Sequence, residues 1–454
     1  MKSRKLYRNI FSYALLIVLC AVIFNLRFDY IGNTFFVVTL QLVFVLSVYA
    51  SRKLSLALIY FIFVFVFLNL LPWLHYSSNI TIWRAYLLGD QTYITTNFLI
   101  FVANAVVFTV NYLSIGGAPP IRSTRDACSV HGRFTGIVLL TLSLIGFGIT
   151  LVLNDFSISN LLFRGLVDET RRTPVEDLAV LLLLGMGSRM LTFFSFLYAI
   201  TKIKKNISLK LMLFFLLLIT IFPTGVARYM VGMVYIPLVL IFFPKLRNGG
   251  VFSFLLLFSL IIFFPFIDQF RDFSGFENLK LFPSVNYFYA AHFDAYENMG
   301  SAIEAEFITY GRQLVGVVFF YIPRSFWITK PVGSGQQMAN ELGYSFDNIS
   351  MPYLGEGYVN FGIVGVIIFS LLMAYVIAKI DKYYKFRIND KYMVEFSDAF
   401  YFYLIGGLVF VMRGDLLSSF SYLSSGVFVA FFLSRFMPLF AQRQQRCMQQ
   451  HSPK

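Results

Sequence analysis

The sequence predicts an all-α polytopic integral membrane protein, with about 12 transmembrane helices and one large loop on the non-cytoplasmic side. Three observations lead there. Of 454 residues, 58% are hydrophobic and only 13% are charged, about half the charge expected of a soluble domain; the mean hydropathy is +0.72. Apolar runs recur at roughly the 17–25 residues that a helix needs to cross a ~30 Å hydrocarbon layer. The loops between them alternate between Lys/Arg-rich and poor in positive charge.

The first run, 10–26, follows Lys2, Arg4, Lys5 and Arg8 and so resembles a secretory signal. It is long, and no small-x-small cleavage site follows, so it reads as a retained first span. Runs 34–50 and 54–71 flank Arg52 and Lys53; runs 96–115 and 135–153 flank a basic loop at 122–133. The sixth run, 177–200, carries Arg189 about midway. Runs 209–221 and 229–243 are the two shortest, and 251–267 completes a membrane region over 1–267. The loop 268–361 comes next. Runs 362–378, 396–412 and 421–436 and a basic tail make up the last region, 362–454.

The formal charge of +14 invites a nucleic-acid partner, but its distribution excludes one. About 24 of the 37 Lys/Arg, and only about 5 of the 23 Asp/Glu, fall at 2–8, 52–53, 122–133, 202–210, 245–247, 379–391 and 443–454 or at the membrane edge beside them. The remainder is left near −5 (about 13 − 18). These basic segments are every second loop plus both ends, as the positive-inside rule requires of twelve spans with both termini cytoplasmic. Cys20, Cys128 and Cys447 fall in a span, a cytoplasmic loop and the tail. Neither a disulfide framework nor a Cys metal site is expected.

The outer segments then hold the candidate chemistry. Turn-forming residues from Gly311 to Gly357 predict a folded loop rather than a linker. The apolar stretch 314–322, bounded by Arg312 and Arg324, is too short to span and is expected to lie in the interface plane. Arginine offers a permanent charge and paired planar donors suited to phosphate oxygens. Arg228, Arg312, Arg324, Arg271 and the intramembrane Arg189 are therefore candidate anion-binding groups. Arg189 needs a cavity or a partner, because charge in a span is costly. For Arg27, Arg84, Arg171 and Arg172 the plainer account is snorkelling or pairing with nearby carboxylates.

Transfer of a glycosyl group needs a base for the acceptor hydroxyl. Glu356, His292 and Asp294 are the candidates, although Glu356 equally suits a helix start. Tyr353, Tyr358 and Trp327 offer flat faces for sugar rings, and such residues also populate interfacial belts. His75, in what reads as a short loop, is expected at the surface. No DxD, HxxxH or cysteine cluster occurs in the outer loops, so no metal or other cofactor is expected.

The run GRQLVGVVFFYIPRSFWITKPVGSG, followed by MPYLGEGYVNFGIVG at the start of a span, resembles the oligosaccharide repeat-unit polymerases of bacterial surface polysaccharides, the O-antigen polymerase group. TGVAR, ending at Arg228, resembles that family's Thr-Gly-x-Arg element with one extra residue. The resemblance implies a bacterial inner-membrane glycosyltransferase with a GT-C-like fold, working without a metal on the periplasmic face. It would move a glycan from undecaprenyl pyrophosphate onto a new lipid-linked repeat unit, with a chain-length regulator as a further partner. Arg228, Arg312 and Arg324 match motif positions and would hold the pyrophosphate. The competing classes are an O-antigen ligase, whose loop centres on a His followed by a Gly-rich pattern, and a lipid-linked oligosaccharide flippase, which would have short loops throughout.

Overall fold

A computed structural model describes residues 2–114, 133–163, 178–203, 205–269, 285–385 and 394–450. The described chain is helical, and its one β-feature is an isolated bridge between Lys53 and Asn248. We number the helices α1 (Lys2–Ile23), α2 (Tyr30–Ala50), α3 (Leu56–Ser78), α4 (Asp90–Ser114), α5 (Arg133–Val152), α6 (Leu178–Lys202), α7 (Ile207–Thr220) and α8 (Arg228–Phe242). Then follow α9 (Gly249–Phe266), α10 (Ala295–Glu304), α11 (Arg312–Val318), α12 (Ser334–Glu341), α13 (Tyr353–Lys385), α14 (Phe396–Arg413) and α15 (Leu416–Gln450).

Each of the twelve apolar runs is helical over most of its described residues. Among the described residues nine helices are long and apolar enough to cross a membrane: α1 to α5, α9, and α13 to α15. The two shortest runs form α7 and α8, which are shorter apolar helices, and the Arg189 run forms the 25-residue α6. In hydrocarbon each backbone N–H and C=O needs an internal partner, which helices supply and open strands do not. The helix starts are satisfied by short polar side chains. Asp29 Oδ1 accepts from Gly32 N at 2.8 Å, Ser55 Oγ from Leu58 N at 3.2 Å and Asn248 Oδ1 from Gly250 N at 3.1 Å.

Helix α3 is the centre of the molecule, with 94% of its span buried. Its interior turn Val66–Leu70 widens to π geometry. One hydrophobic core surrounds α3 and includes α2, α4, α10 and α13; a second joins α5 to α8 and α15, and α14 contributes to both. Gly406 of α14 lies against α8 so closely that an added Cβ would stand 2.5 Å from Gly232 O. That crossing sets the start of α8 beside the end of α14.

Among the described residues, connections gather at two ends of the bundle. At one end Leu54 N donates to Arg247 O at 3.0 Å, and Gly249 N to Arg52 O at 3.0 Å. Asp381, near the end of α13, caps Leu56 N at 2.9 Å and accepts from Tyr401 OH at 2.7 Å. This end carries the described basic loops. At the other end Trp73 Nε1 donates to Arg27 O at 2.9 Å, and Thr224 Oγ1 to Leu162 O at 2.6 Å; the long loop also closes here.

Within that loop, two 3-10 turns, Val285–Tyr289 and Ala291–Phe293, are followed by α10 and an irregular link to α11. Helix α13 has a corner at Phe361 and Gly362, where Gly362 takes φ +64. The run expected to begin at 362 is the long arm beyond this corner. Gly365, on the long arm, approaches the near arm so closely that a Cβ on it would lie 1.9 Å from Gly357 O. Carbonyls at the end of the near arm are taken up by the loop: Thr309 N donates to Val359 O at 2.7 Å and Gly311 N to Asn360 O at 3.0 Å.

Candidate functional site

The α8–α14 crossing brings two arginines to one stretch of the long loop. Arg228 is the first residue of α8 and Arg413 the last of α14. Tyr229 stacks on Phe410 with centroids 3.9 Å apart and planes within 7°, which fixes the two helix ends together. Arg228 Nη1 donates to Tyr287 OH at 3.1 Å, and its Nη2 lies 3.0 Å from His292 Nε2. A guanidinium has no acceptor, so His292 Nε2 must accept, and the imidazole is neutral with its proton on Nδ1. Arg413 reaches the same turn from the other side. Its Nε donates to His292 O at 2.8 Å and its Nη2 to Ala291 O at 3.1 Å.

Asp294 lies just behind. It pairs with Arg413 at 3.3 Å and also accepts from Ser350 Oγ (2.6 Å), Trp83 Nε1 (3.0 Å) and Asn298 Nδ2 (3.0 Å). At 1% exposure, with its lone pairs committed, this carboxylate holds the loop rather than facing substrate. Its neighbour Glu297 does similar work, accepting from the backbone N–H groups of Ile82, Trp83 and Arg84 at 2.7, 2.7 and 3.1 Å. Burial raises the Glu297 carboxyl above its ordinary value, against those three donors.

Glu356 sits in the near arm of α13 at 1% exposure. Its Oε1 accepts from Leu416 N at 2.9 Å and its Oε2 from Ser334 Oγ at 2.7 Å. Asp415 stands beside it as the cap of α15, accepting from Leu417 N at 2.8 Å and Ser418 N at 3.3 Å. Burial raises the Asp415 carboxyl above its usual value, opposed by the backbone donors. The two acids thus gather the starts of α12 and α15, whereas the sequence offered Glu356 as a helix-start group for its own span. Gly333 is required there, since a Cβ would meet Asp415 Oδ2 at 2.2 Å.

The remaining candidates disperse. Arg324 donates to two carbonyls of its own loop, Lys330 O at 2.8 Å and Pro331 O at 3.4 Å. Arg312 is exposed and reaches Thr329 O at 3.4 Å. Arg189 is partly buried on α6. Tyr353 is buried against Phe369, and Tyr358 is buried with its OH toward Ile303 O, so neither presents an open ring face. Trp327 is partly exposed. Arg271, Arg171 and Arg172 lie outside the described residues. His75, expected at the surface, is buried in the last turns of α3, with Nε2 2.7 Å from Phe288 O. Arg84 pairs with Glu304 at 3.1 Å, its plainer account.

The sequence argument missed Arg413 and Asp415. The eleventh run ends at Met412, which leaves both in a connection too short to attract attention. The signal was available: Arg413 is the one cation between the last two apolar runs.

Comparison of the chain with protein-family models, with curated proteins and with solved structures finds no match.

Proposed function

We propose that this protein is a membrane glycosyltransferase of the oligosaccharide repeat-unit polymerase type, with twelve spans and both termini cytoplasmic. It would act on undecaprenyl-pyrophosphate-linked glycan at the periplasmic face of a bacterial inner membrane. One observation carries the reading. Arg228 and Arg413, from two separate apolar helices, converge on the loop turn that bears His292, at the end of the bundle away from the basic loops. Cations held in advance where a leaving pyrophosphate gathers charge are the kind of group that dominates such barriers.

In this reading the Arg228 guanidinium exchanges Tyr287 and His292 for phosphate oxygens. The freed His292 Nε2 lone pair then takes the proton of the acceptor hydroxyl. The lipid tail stays in the bilayer, and the sugars extend outward from the turn that bears His292. The resemblance in 311–365 and the bipolar loop arrangement support the same conclusion.

Deletion of the gene, with surface glycolipid resolved on a gel, tests it. Single repeats without a ladder are expected. Lipid-linked polymer accumulating without transfer to its final acceptor would instead indicate a ligase. Repeats trapped at the cytoplasmic face would indicate a flippase.

A further inference from the structure

The segment from Tyr310 to Ile328 carries a cluster of apolar side chains that the polymerase reading does not use. Tyr310, Phe326 and Ile328 are 85%, 86% and 85% exposed, and Val318, Phe319 and Tyr321 are about half exposed. The backbone beneath them is tied down. Lys330, itself buried, donates through Nζ to Phe320 O at 2.6 Å and Ile322 O at 2.8 Å, and Arg324 closes the same loop on Lys330 O. Gly311, at φ +85, turns the chain against the Phe361 ring, which an added Cβ would meet at 3.1 Å. Large apolar side chains are therefore held outward on a fixed frame.

Two contacts set the depth of this frame. Phe361 is the corner from which the long arm of α13 departs, and Phe320 packs edge-on to Phe420, in the second turn of α15, at 6.1 Å. The segment thus sits level with the first turns of two apolar helices. Their outward faces continue the same surface: Val364 and Leu372 on α13 are 63% and 53% exposed, and Phe428 and Phe431 on α15 are 69% and 64% exposed. The exposed Arg312 belongs to the same segment. Aromatic, aliphatic and arginine side chains at one depth are what the headgroup–acyl boundary favours.

We propose that 310–328 is a membrane-seated plate, whose Tyr310, Phe326 and Ile328 side chains insert into the near leaflet of the bilayer beside α13 and α15. It extends the lipid-facing surface sideways at the end of the bundle that bears Arg228. The plate needs no particular enzymatic activity, so it stands or falls independently of the polymerase reading.

Spin labels test it. With Cys20, Cys128 and Cys447 changed to Ala, a nitroxide is placed at Phe326→Cys or Ile328→Cys in the full chain. The protein is reconstituted in vesicles of phosphatidylethanolamine and phosphatidylglycerol. Tyr86→Cys, at a loop residue 82% exposed, is the aqueous reference, and Phe428→Cys the lipid reference. All four sites are open, so labelling leaves the fold intact. Collision with oxygen over a water-soluble nickel chelate should exceed the Tyr86 ratio several-fold and approach that of Phe428. A ratio equal to that at Tyr86 overturns the proposal. So does dipolar broadening between labels at 326 or 328, since it would make a second copy of the chain the occupant.

Discussion

Arg228 and Arg413 reach from two different helices to one loop turn, whereas Arg312 and Arg324 reach only carbonyls of their own loop, 17 and 6 residues along. All four stand at the same end of the bundle. The first pair joins separate parts of the fold, so its geometry is imposed by helix packing and persists when its ligands change. The second pair is local and helps to shape a surface. Sequence spacing does not separate the two kinds, because the distinguishing partner lies 64 residues away for Arg228 and 121 for Arg413.

The largest expected effect is on folding. Asp294→Ala removes the shared acceptor of Arg413, Ser350, Trp83 and Asn298 at a buried site, at a cost of about 3–5 kcal/mol. The protein should largely disappear from membranes on an immunoblot, and normal abundance would remove the structural role of Asp294. Next comes activity. Arg228→Ala should lower chain elongation by about 100-fold or more at normal abundance. Arg228→Lys should restore only part of it, because a point charge lacks the paired donors. Full activity of the alanine variant ends the contrast between the two pairs.

Arg324→Ala breaks two loop carbonyl contacts and should cost about 1–2 kcal/mol. The thermal midpoint in detergent should fall while elongation persists. Loss of elongation at an unchanged midpoint would move Arg324 into the first group. Arg312, exposed and with one long contact, should change the midpoint by about 0.5 kcal/mol or less on replacement with Ala.

The acid pair supplies a test in pH. The folded Asp415 carboxyl is raised above its unfolded value of 3.8 by burial. The native state therefore holds the proton longer, and this group favours folding most below the unfolded value. The contribution declines as pH rises through the folded value. The thermal midpoint should fall with increasing pH across this window, and Asp415→Asn should flatten the slope. An unchanged slope would show that other groups set it.

Several features were legible because they are local. Each apolar run is helical over most of its described residues, and the helix of the tenth run begins at Tyr353, before the expected start at 362. Glu356 and Asp294 were legible only as carboxylates. Their burial depends on Leu416, Ser334, Trp83 and Ser350, which come from other parts of the chain. His75 misled because the third helix runs several residues past its apolar core, through HYSS to Ser78. Tyr353 and Tyr358 read as surface faces because nothing in their neighbourhood announces the Phe369 and Ile303 that cover them.

The sequence by itself determined that the chain is a bundle of membrane-crossing helices with an elaborate charge-poor end, since apolar length and loop charge act through the solvent rather than through partners. Only the tertiary structure decided which polar groups meet. The close α8–α14 contact at Gly232 and Gly406 puts Arg228 and Arg413 on His292. Distant parts of the chain also close over Glu356 and Asp294, because low-dielectric surroundings oblige a buried carboxyl to find donors or take up a proton.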